Sequence, residues 1–507
     1  MTQINNNGNA EVLGNDPENT EKLDGFFSNL PYSCNVSDSA LDIKSHFEDY
    51  EGKKVSIAGR VLAVRKAGKL IFMDVADVSD KIQAYFDFNV LNERFDALKA
   101  FNAGDMISVS GTVFKTKPGE ISINANDYTM LSKAIRTLPN KWKGLIDIET
   151  RYRKRYLDLI MNNESRAAFI ARSRIISEIR AFLHARGFLE FETPAIQPFY
   201  GGADADAFKV FVNTLGEENF LRISNELYLK RLIIGGMEKV FEIYKAFRNE
   251  DIDVTHSPEF TMIELYQAYT DYNGMMQITE DIIKSVAYNL FGSNSFFYQG
   301  NKIDLEFAKI KFVDSVNNKL GIDMLNESDE KLISLLEQEK VYIPKDKRYR
   351  GHLYEKAFET FVQKDLTQPT FVIDFPKETS FLCRPKRGDP RLAERFELYI
   401  SGMEIANAYS ELNNPILQRK NFEEEIRINN NQNIDMEFIE AMEYGMPPTG
   451  GLGIGIDRLV MLLTNSASIK DVILFPMEKR LNKGSASSTK AEKSNLFQCK
   501  ESLYNNI

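Results

Sequence analysis

Short runs in which apolar and polar residues alternate recur between Lys53 and Leu131. A period of two residues is typical of strands that bury one face. A helical stretch at 91–101 separates the third and fourth runs, and the sequence KPGE at 117–120 predicts a tight turn before the fifth. The chain therefore begins with a predicted small β-barrel, whose five strands are 55–61, 70–75, 81–86, 107–113 and 121–124.

The pattern changes beyond a connecting segment. Apolar residues recur at helical spacing at Phe169, Ile176, Ile179 and Leu183, which predicts a long helix that begins near Glu164. A glycine at 187 ends it, and its apolar stripe packs either in a core or between subunits. The β-rich segments 370–375 and 397–409 stand among helices without regular βαβ alternation. This arrangement predicts an antiparallel sheet.

The fold class is therefore predicted as α+β, with an N-terminal OB-fold β-barrel followed by an antiparallel-sheet domain. The strand face and loops of OB folds bind oligonucleotides. Both chain ends are polar and poor in large apolar residues, so they are predicted to be disordered. The predicted divisions are a disordered arm at 1–24, the OB domain at 25–136, a linker at 137–160, the larger domain at 161–477 with a helical insertion at about 308–366, and a flexible tail at 478–507.

Composition narrows the class of protein. The chain has 507 residues, 43% hydrophobic and 27% charged, and no apolar run reaches the ~18 residues of a membrane span. With no signal sequence at its start, it is expected to be a cytoplasmic protein that does not enter a membrane. The three cysteines lack CxxC spacing, so no structural zinc is expected.

A net charge of −10 argues against a general basic field for nucleic acid, so any such partner must be held by local patches. One candidate patch is RYRKRY at 151–156, where the sequence leaves open a nucleic-acid contact or a solvated helix start.

Two sequence blocks favour a site for a phosphorylated ligand. The glycine-rich run GLGIG at 451–455 continues into Arg458 at the start of an apolar helix, where a guanidinium can reach a phosphate. In the second block, Arg248 is predicted in mid-strand, and Glu264 and Tyr266 alternate onto one face of the next strand. A cation, an acid and aromatics on one sheet face would form the floor of a ligand site. Pro194 is predicted at a sheet edge or interface because proline cannot donate within a ladder.

These blocks, in this order, resemble the signature motifs of class II aminoacyl-tRNA synthetases. The resemblance covers about 53–476 and is closest to the bacterial-type lysyl-tRNA synthetases. It implies an anticodon-binding OB domain, a class II synthetase antiparallel-sheet catalytic domain and a homodimer built partly on the Pro194 segment. It also implies L-lysine, ATP and tRNA(Lys) as substrates and up to three Mg²⁺ ions per subunit. The blocks that carry it are 151–159, 226–231, 259–266, 407–413 and 451–458.

The resemblance also implies roles for individual residues. Arg248 and Arg458 are the implied catalytic residues, the first bridging the lysine carboxylate and the α-phosphate, the second clamping the γ-phosphate. Glu411 with Tyr266 is implied to hold the lysine ε-ammonium, which distinguishes lysyl from aspartyl and asparaginyl relatives. The implied ATP contacts are Arg248, Glu250, His256, Phe260, Glu404 and Arg458; the lysine contacts are Gly202, Glu226, Arg248, Glu264, Tyr266, Asn407, Tyr409 and Glu411; the metal ligands are Glu397 and Glu404.

In the barrel, the resemblance implies anticodon contacts at Arg65, Phe72, Gln83 and Glu120. Without the resemblance, Phe72 would be interpreted as a core residue, since a phenylalanine in a strand usually packs inside.

Departures from the family pattern occur at Asn225, Ser257, Ala406 and Ala408, and the two alanines are expected to narrow the pocket beside Asn407. Two alternative functions fit the sequence poorly. A lysyl transferase that modifies a protein would lack the barrel. A non-catalytic RNA-binding relative would lose the phosphate arginines or the metal acids, which this sequence retains.

Overall fold

The structure is a computed structural model that describes residues 27–139, 145–203, 205–429 and 435–479. The chain divides into two compact units, one up to Gly144 and one from Leu145. The predicted disordered arm at 1–24 lies outside the described residues, and the predicted tail at 478–507 is described only at its first two residues.

The first unit is a closed five-stranded barrel with the strand order β1-β2-β3-β5-β4, so the predicted OB-type barrel is confirmed. Alternate residues of each strand fill its core, while the intervening ones remain on the outer face. Gly119 takes a φ of +99° in the predicted turn, a conformation that favours glycine. The strands are β1 Lys54–Ala67, β2 Leu70–Ala76, β3 Lys81–Asp87, β4 Met106–Lys115 and β5 Ile121–Ser132; the helices are α1 Ala40–Ser45, α2 Phe47–Tyr50, α3 Phe88–Leu91 and a 3₁₀ helix Asn92–Ala100.

The second unit is built on a large, mainly antiparallel sheet, and the predicted α+β class is confirmed. Its strands follow the order β14-β15-β17-β18-β19-β11-β10-β6, with β16 paired to β17. Only the outermost pairs, β14 with β15 and β10 with β6, are parallel. The strands are β6 Leu189–Glu190, β10 Lys239–Phe247, β11 Glu259–Ala268, β14 Ala308–Lys311, β15 Thr370–Pro376, β16 Pro385–Lys386, β17 Asp389–Ile400, β18 Met403–Ser410 and β19 Thr449–Gly455.

Helices and smaller sheets surround this large sheet. A three-stranded sheet has the order β7-β9-β8, and β12 pairs with β13. These strands are β7 Ile196–Gln197, β8 Lys209–Val212, β9 Glu217–Leu221, β12 Ser295–Tyr298 and β13 Asn301–Asp304. The helices are α4 Ile148–Arg153, α5 Arg155–Met161, α6 Asn163–Ala185, α7 Glu226–Ile234, α8 Tyr272–Phe291, α9 Phe312–Leu320, α10 Asp329–Gln338, α11 Arg350–Phe361, α12 Pro415–Asn429, α13 Met436–Glu443, α14 Ile456–Leu463 and α15 Ile469–Val472.

The long predicted helix is α6, and its apolar stripe is mainly core. Ile179 and Leu183 are fully buried against the sheet, whereas Phe169 and Ile176 are only partly buried. The predicted stop at Gly187 has a φ of +80°. Pro194 lies outside the strands, between β6 and β7, as expected for a residue that cannot donate to a ladder.

The segment predicted as a helical insertion contains α9, α10 and α11, which enclose an apolar cluster of their own. Its first residues are not helical, however, because Ala308–Lys311 pairs with β15 as the edge strand of the large sheet. Four residues were too few for their alternation to be distinguished from a helix start.

The basic run at 151–156 packs against the end of the second unit. Arg155 is 1% exposed, donates to the carbonyl of Leu474 at 2.9 Å and pairs with Asp158 at 2.6 Å. Arg151 pairs with the same carboxylate at 2.8 Å. These two arginines are therefore structural, and neither open interpretation, a nucleic-acid contact or a solvated helix start, describes them.

Candidate functional site

The glycine strand β19 forms the floor of a pocket. In the sheet register, Gly451 lies between Tyr266 and Tyr409, and Gly453 lies between Glu264 and Asn407. Residues opposite one another in an antiparallel sheet share a face, so these side chains flank the glycines on one side. A Cβ atom at Gly451 would lie 2.0 Å from Glu411 Oε1 and 2.5 Å from Tyr266 Cε1. Glycine at this position therefore lets Glu411 and Tyr266, two of the predicted lysine-binding residues, lie directly against the strand.

Three buried carboxylates lie in this pocket. Glu226, Glu264 and Glu411 are 4%, 6% and 0% exposed. The ammonium of Lys230, also 0% exposed, pairs with both Glu226 and Glu411. Sequence reasoning missed Lys230, although its spacing of four residues from Glu226 in α7 places both on one helix face.

The electrostatics of the pocket are unbalanced, because the Lys230 ammonium pairs with Glu226 and Glu411 but not with the third acid, Glu264. The charges of Glu226 and Glu411 overcome the effect of burial and raise the pKa of Lys230, so it stays charged. Burial, reinforced by the charge of Glu226, raises the pKa of Glu264 to about 7. Burial likewise raises the pKa of Glu411, whose Oε2 pairs with Lys230 while its Oε1 has no hydrogen-bond partner among the described residues. A buried carboxylate in this condition favours a cationic ligand.

The remaining walls of the acid cluster come from loops and tyrosines. Glu264 accepts hydrogen bonds from Ser224 at 2.9 Å, from Tyr266 at 3.1 Å and from Tyr244. Gly202 has a φ of +84°, and a Cβ there would meet the side chains of Ser224 and Glu226 at 2.9 and 3.0 Å. Its backbone can therefore approach the acids only because it is glycine.

Asn225, a departure from the family pattern, lies beneath the pocket. It is fully buried, and its Nδ2 donates to Glu242 at 2.7 Å, which ties the start of α7 to β10. Ser257 is partly buried in the loop before β11, and its departure has no structural explanation here.

The edge of the pocket on β17 and β18 contains a buried arginine that sequence reasoning missed. Arg395 donates to Asn407 at 3.3 Å and pairs with Glu397 at 2.5 Å, and Tyr399 donates to the other Glu397 oxygen at 2.5 Å. The guanidinium also lies 5.7 Å from the ring of Tyr409. These contacts bring together Asn407 and Tyr409, predicted to contact lysine, and Glu397, predicted to bind a metal.

The expectation that Ala406 and Ala408 narrow the pocket is wrong. They are 2% and 1% exposed and belong to the apolar core on the opposite face of the sheet. Because side chains alternate along a strand, the neighbours of Asn407 must point away from its face.

A second cluster gathers the residues predicted for the phosphates. Arg458, in the first turn of α14, donates to the Glu404 carbonyl at 2.9 Å and pairs with its carboxylate at 3.3 Å. It also lies 3.0 Å from Nε2 of His256, whose Nδ1 is 2.8 Å from Asp253. The arrangement presents a guanidinium and an imidazole at a helix N-terminus, where anions are favoured.

Arg248 lies just beyond the end of β10 rather than in mid-strand. Its backbone N–H donates to Pro258 across the loop at 2.9 Å, so the residue closes the turn after the strand ladder ends. Its guanidinium lies 5.2 Å from the ring of Phe260, and its Nε is buried without a partner among the described residues. Glu250 is exposed in the same loop.

The two predicted metal acids, Glu397 and Glu404, lie on the paired strands β17 and β18. Burial raises the pKa of Glu397; Arg395 opposes this rise and the charge of Glu404 adds to it. Mutual repulsion of carboxylates and an all-oxygen donor set fit a hard divalent cation. Among the described residues no group of three or more His, Cys, Asp or Glu side chains could hold a metal. A cation here would therefore need additional oxygens from a ligand.

The outer face of the barrel carries the four residues predicted to contact an anticodon. Phe72 is partly buried and lies outside the barrel core, with its ring centroid 5.4 Å from that of Tyr85. Arg65 is paired with Asp74 at 2.9 Å, Gln83 accepts from Ser122 at 3.1 Å, and Glu120 is exposed. The interpretation of Phe72 as a core residue is thereby wrong.

Sequence reasoning missed two further aromatics of this face. Tyr85 lies opposite Phe72 in the register, and the ring centroid of Phe114 lies 5.7 Å from that of Tyr85. Alternation along β3 and β4 could have identified both as outward-facing.

Comparison with known proteins agrees with this geometry. Residues 147–479 match the family model described as tRNA synthetases class II (D, K and N), and residues 55–131 match that of the OB-fold nucleic acid binding domain. A lysine–tRNA ligase of Clostridium novyi is 47% identical over 460 residues, covering 88% of this chain and 90% of that protein. Lysine–tRNA ligase 2 of Methanosarcina acetivorans is 46% identical, covering 92% and 94%, and the lysine–tRNA ligase of Methanoculleus marisnigri is 48% identical, covering 89% and 91%.

The described helices include none with the length and apolar character to cross a membrane. The match to the synthetase model spans the large sheet and both residue clusters, and the relatives align over most of their own length. This chain therefore belongs to the lysine–tRNA ligase family of class II aminoacyl-tRNA synthetases.

Proposed function

We propose that this enzyme activates L-lysine with ATP to form lysyl-adenylate and transfers the lysyl group to the 3′ end of tRNA(Lys), with release of AMP and diphosphate. The observation that carries the assignment of lysine is the pocket of three buried carboxylates, two of which share the single ammonium of Lys230. A ligand that brings two further positive charges would balance it. Free lysine carries an α-ammonium and an ε-ammonium.

The pocket supports a specific orientation of the substrate. The ε-ammonium is assigned to Glu411 and Tyr266, and the α-ammonium to Glu226 and the Gly202 carbonyl, with Glu264 between them. An uncharged amino acid would leave Glu411 to share the one ammonium of Lys230 with Glu226, which is costly for two buried carboxylates. In this orientation, the carboxylate of the bound lysine would lie toward Asn407 and Arg248.

The chemistry requires positioning and charge neutralisation more than proton transfer. The lysine carboxylate attacks the α-phosphorus of ATP, and the bond to diphosphate breaks. Arg248 is assigned to bridge the attacking carboxylate and the α-phosphate, since its fork can bind both at once. Its buried, unpartnered Nε supports this role. Arg458 and His256 are assigned to the far phosphates, and Phe260 and Glu250 to the adenine.

Glu397 and Glu404 are assigned as ligands of Mg²⁺, which would share its coordination with phosphate oxygens. When bound, the ion neutralises phosphate charge. Arg395 and Tyr399 hold the Glu397 carboxylate in place, so it is oriented before any cation binds.

The barrel supports recognition of the anticodon. Phe72 offers a ring on which a base can stack, and Arg65, Gln83 and Glu120 are assigned to base edges or phosphate. Family membership further supports a cytoplasmic homodimer. The presence of the barrel disfavours a protein-modifying lysyl transferase, and the retained arginines and acids disfavour a non-catalytic relative.

Lysine-dependent exchange of diphosphate into ATP tests the proposal, with each amino acid supplied separately and Mg²⁺ present. We expect exchange with lysine and none with aspartate or asparagine. Exchange with aspartate or asparagine but not with lysine would refute the assignment of substrate. Charging of tRNA(Lys) transcripts with wild-type or altered anticodons then tests the barrel.

A further inference from the structure

The ammonium of Lys230 lies inside the pocket proposed to bind a lysine ammonium. Lys230 is fully buried, and its ammonium pairs with one oxygen of Glu226 and one of Glu411. These are the acids assigned to opposite ends of the substrate. The specificity pocket thus already contains an ammonium group of the kind that the enzyme is proposed to recognise in its substrate.

We propose that Lys230 is a specificity-determining positioning residue, which fixes one oxygen of Glu226 and of Glu411 and sets the pocket's charge deficit at two. This inference rests on the proposed function. Glu226, Glu264 and Glu411 contribute three negative charges and Lys230 one positive charge, so the pocket lacks two positive charges when all three are ionised. The two ammonium groups of a diamino acid supply them, while the substrate carboxylate is balanced separately by Arg248.

The geometry supports sharing rather than full neutralisation. Lys230 pairs with Glu411 through Oε2, while Glu411 Oε1 lies toward Gly451, over the pocket floor. Glu264 takes no ion pair with Lys230 and is held by hydroxyl groups alone. Each acid therefore keeps an oxygen or a charge available for the substrate.

The other groups that face these acids are neutral or distant from Lys230. Tyr266 and Tyr409 remain protonated because burial raises the pKa of each well above its usual value. Burial also raises the pKa of the Cys383 thiol, which lies beside Glu411 in an isolated β-bridge. Arg395 is engaged by Glu397, so within the part of the chain that the structure describes Lys230 is the cation that pairs directly with Glu226 and Glu411.

Removal of Lys230 should make lysine compete with protons. In Lys230→Met, an acid without its counter-charge should retain a proton to higher pH. The incoming ammonium of the substrate must then displace that proton. The KM for lysine in diphosphate exchange should rise at least tenfold at pH 7.5. The pH above which this KM levels off should move upward by at least one unit, while the KM for ATP changes less than twofold.

Two further variants separate charge from structure. Lys230→Gln keeps a hydrogen-bond donor without the charge and should show the same pH displacement. Lys230→Met/Glu411→Gln removes both members of a buried pair, which proteins tolerate better than loss of one. The pH profile of this double variant should return toward that of the wild type although its KM stays high, and it provides the test if the single variant fails to fold.

Arg231→Met is the matched control, because it removes an ion pair with Asp435 from the same helix and is expected to leave the pH profile unchanged. Three outcomes would overturn the inference. The pH profile of the KM for lysine could be unshifted in the folded Lys230 variants, or the KM values for lysine and ATP could rise equally. The double variant could also show as large a pH shift as the single variant. Absence of lysine-dependent exchange in the wild-type enzyme would instead overturn the proposed function.

Discussion

Replacement of Glu411 by glutamine should impair the use of lysine with little effect on ATP. The change keeps the shape of the side chain but removes its charge from a fully buried position beside Lys230. The substrate ε-ammonium would then lose the one acid assigned to it, although Glu264 remains within the pocket.

The magnitude follows from the burial. Loss of one partner of a desolvated, hydrogen-bonded charge pair costs about 2–5 kcal/mol. Glutamine still offers a carbonyl acceptor, and a hydrogen bond to a charged group contributes about 1.5–3 kcal/mol. The expected loss in transition-state binding is therefore about 2–4 kcal/mol. At 1.4 kcal/mol per factor of ten, kcat/KM for lysine should fall about 30- to 700-fold.

Diphosphate exchange at pH 8, with lysine and ATP varied in turn, measures both parameters. Asp158→Asn is the matched control, because Asp158 is also 0% exposed and ion-paired but lies at α5, outside the pocket. It should lose stability without a selective change in KM for lysine. A loss below about threefold in Glu411→Gln, or an equal loss for ATP, would refute the assigned role of Glu411.

Three other outcomes are expected. In Gly451→Ala, the added Cβ would overlap Glu411 and Tyr266, so lysine-dependent exchange should fall at least 100-fold in a folded protein; normal exchange would contradict the assigned pocket floor. In Phe72→Ala, tRNA(Lys) binding should weaken by about 1–3 kcal/mol while diphosphate exchange is unchanged, and equal tRNA affinity in a filter-binding assay would argue against base stacking. Burial raises the folded-state pKa of Glu264 to about 7, which is above its value in the unfolded chain. The stability that this group contributes to the free enzyme is therefore lost as the pH rises from about 4.5 through 7. Bound lysine should relieve this loss, and the rise in Tm at saturating lysine should be larger at pH 8 than at pH 6; an equal or smaller rise at pH 8 would contradict the charge deficit.

Much of this protein was readable from local patterns. Alternation predicted every barrel strand, because each has one buried and one outward face, and the turn at Gly119 required a residue that tolerates positive φ. The order of the motif blocks indicated the family, and Arg458 at the start of α14 followed from a glycine strand that runs directly into an apolar helix.

Only tertiary structure decided which residues share the pocket. Strand register aligns Asn407, Gly453 and Glu264 across three strands, and the same alternation turns Ala406 and Ala408 into the core. The alignment across strands is not visible within one strand, because pairing partners are distant in sequence. The inward position of the two alanines follows from alternation once the register shows which face Asn407 occupies.

The charge balance of the pocket was also decided by the tertiary structure. Lys230 and Arg395 are ordinary charged residues in the sequence, and their roles arise because the fold buries each of them beside carboxylates. The sequence by itself thus determined the elements and the family, through patterns a few residues long. The charge balance of the pocket was decided by burial, which depends on contacts between segments far apart in the chain.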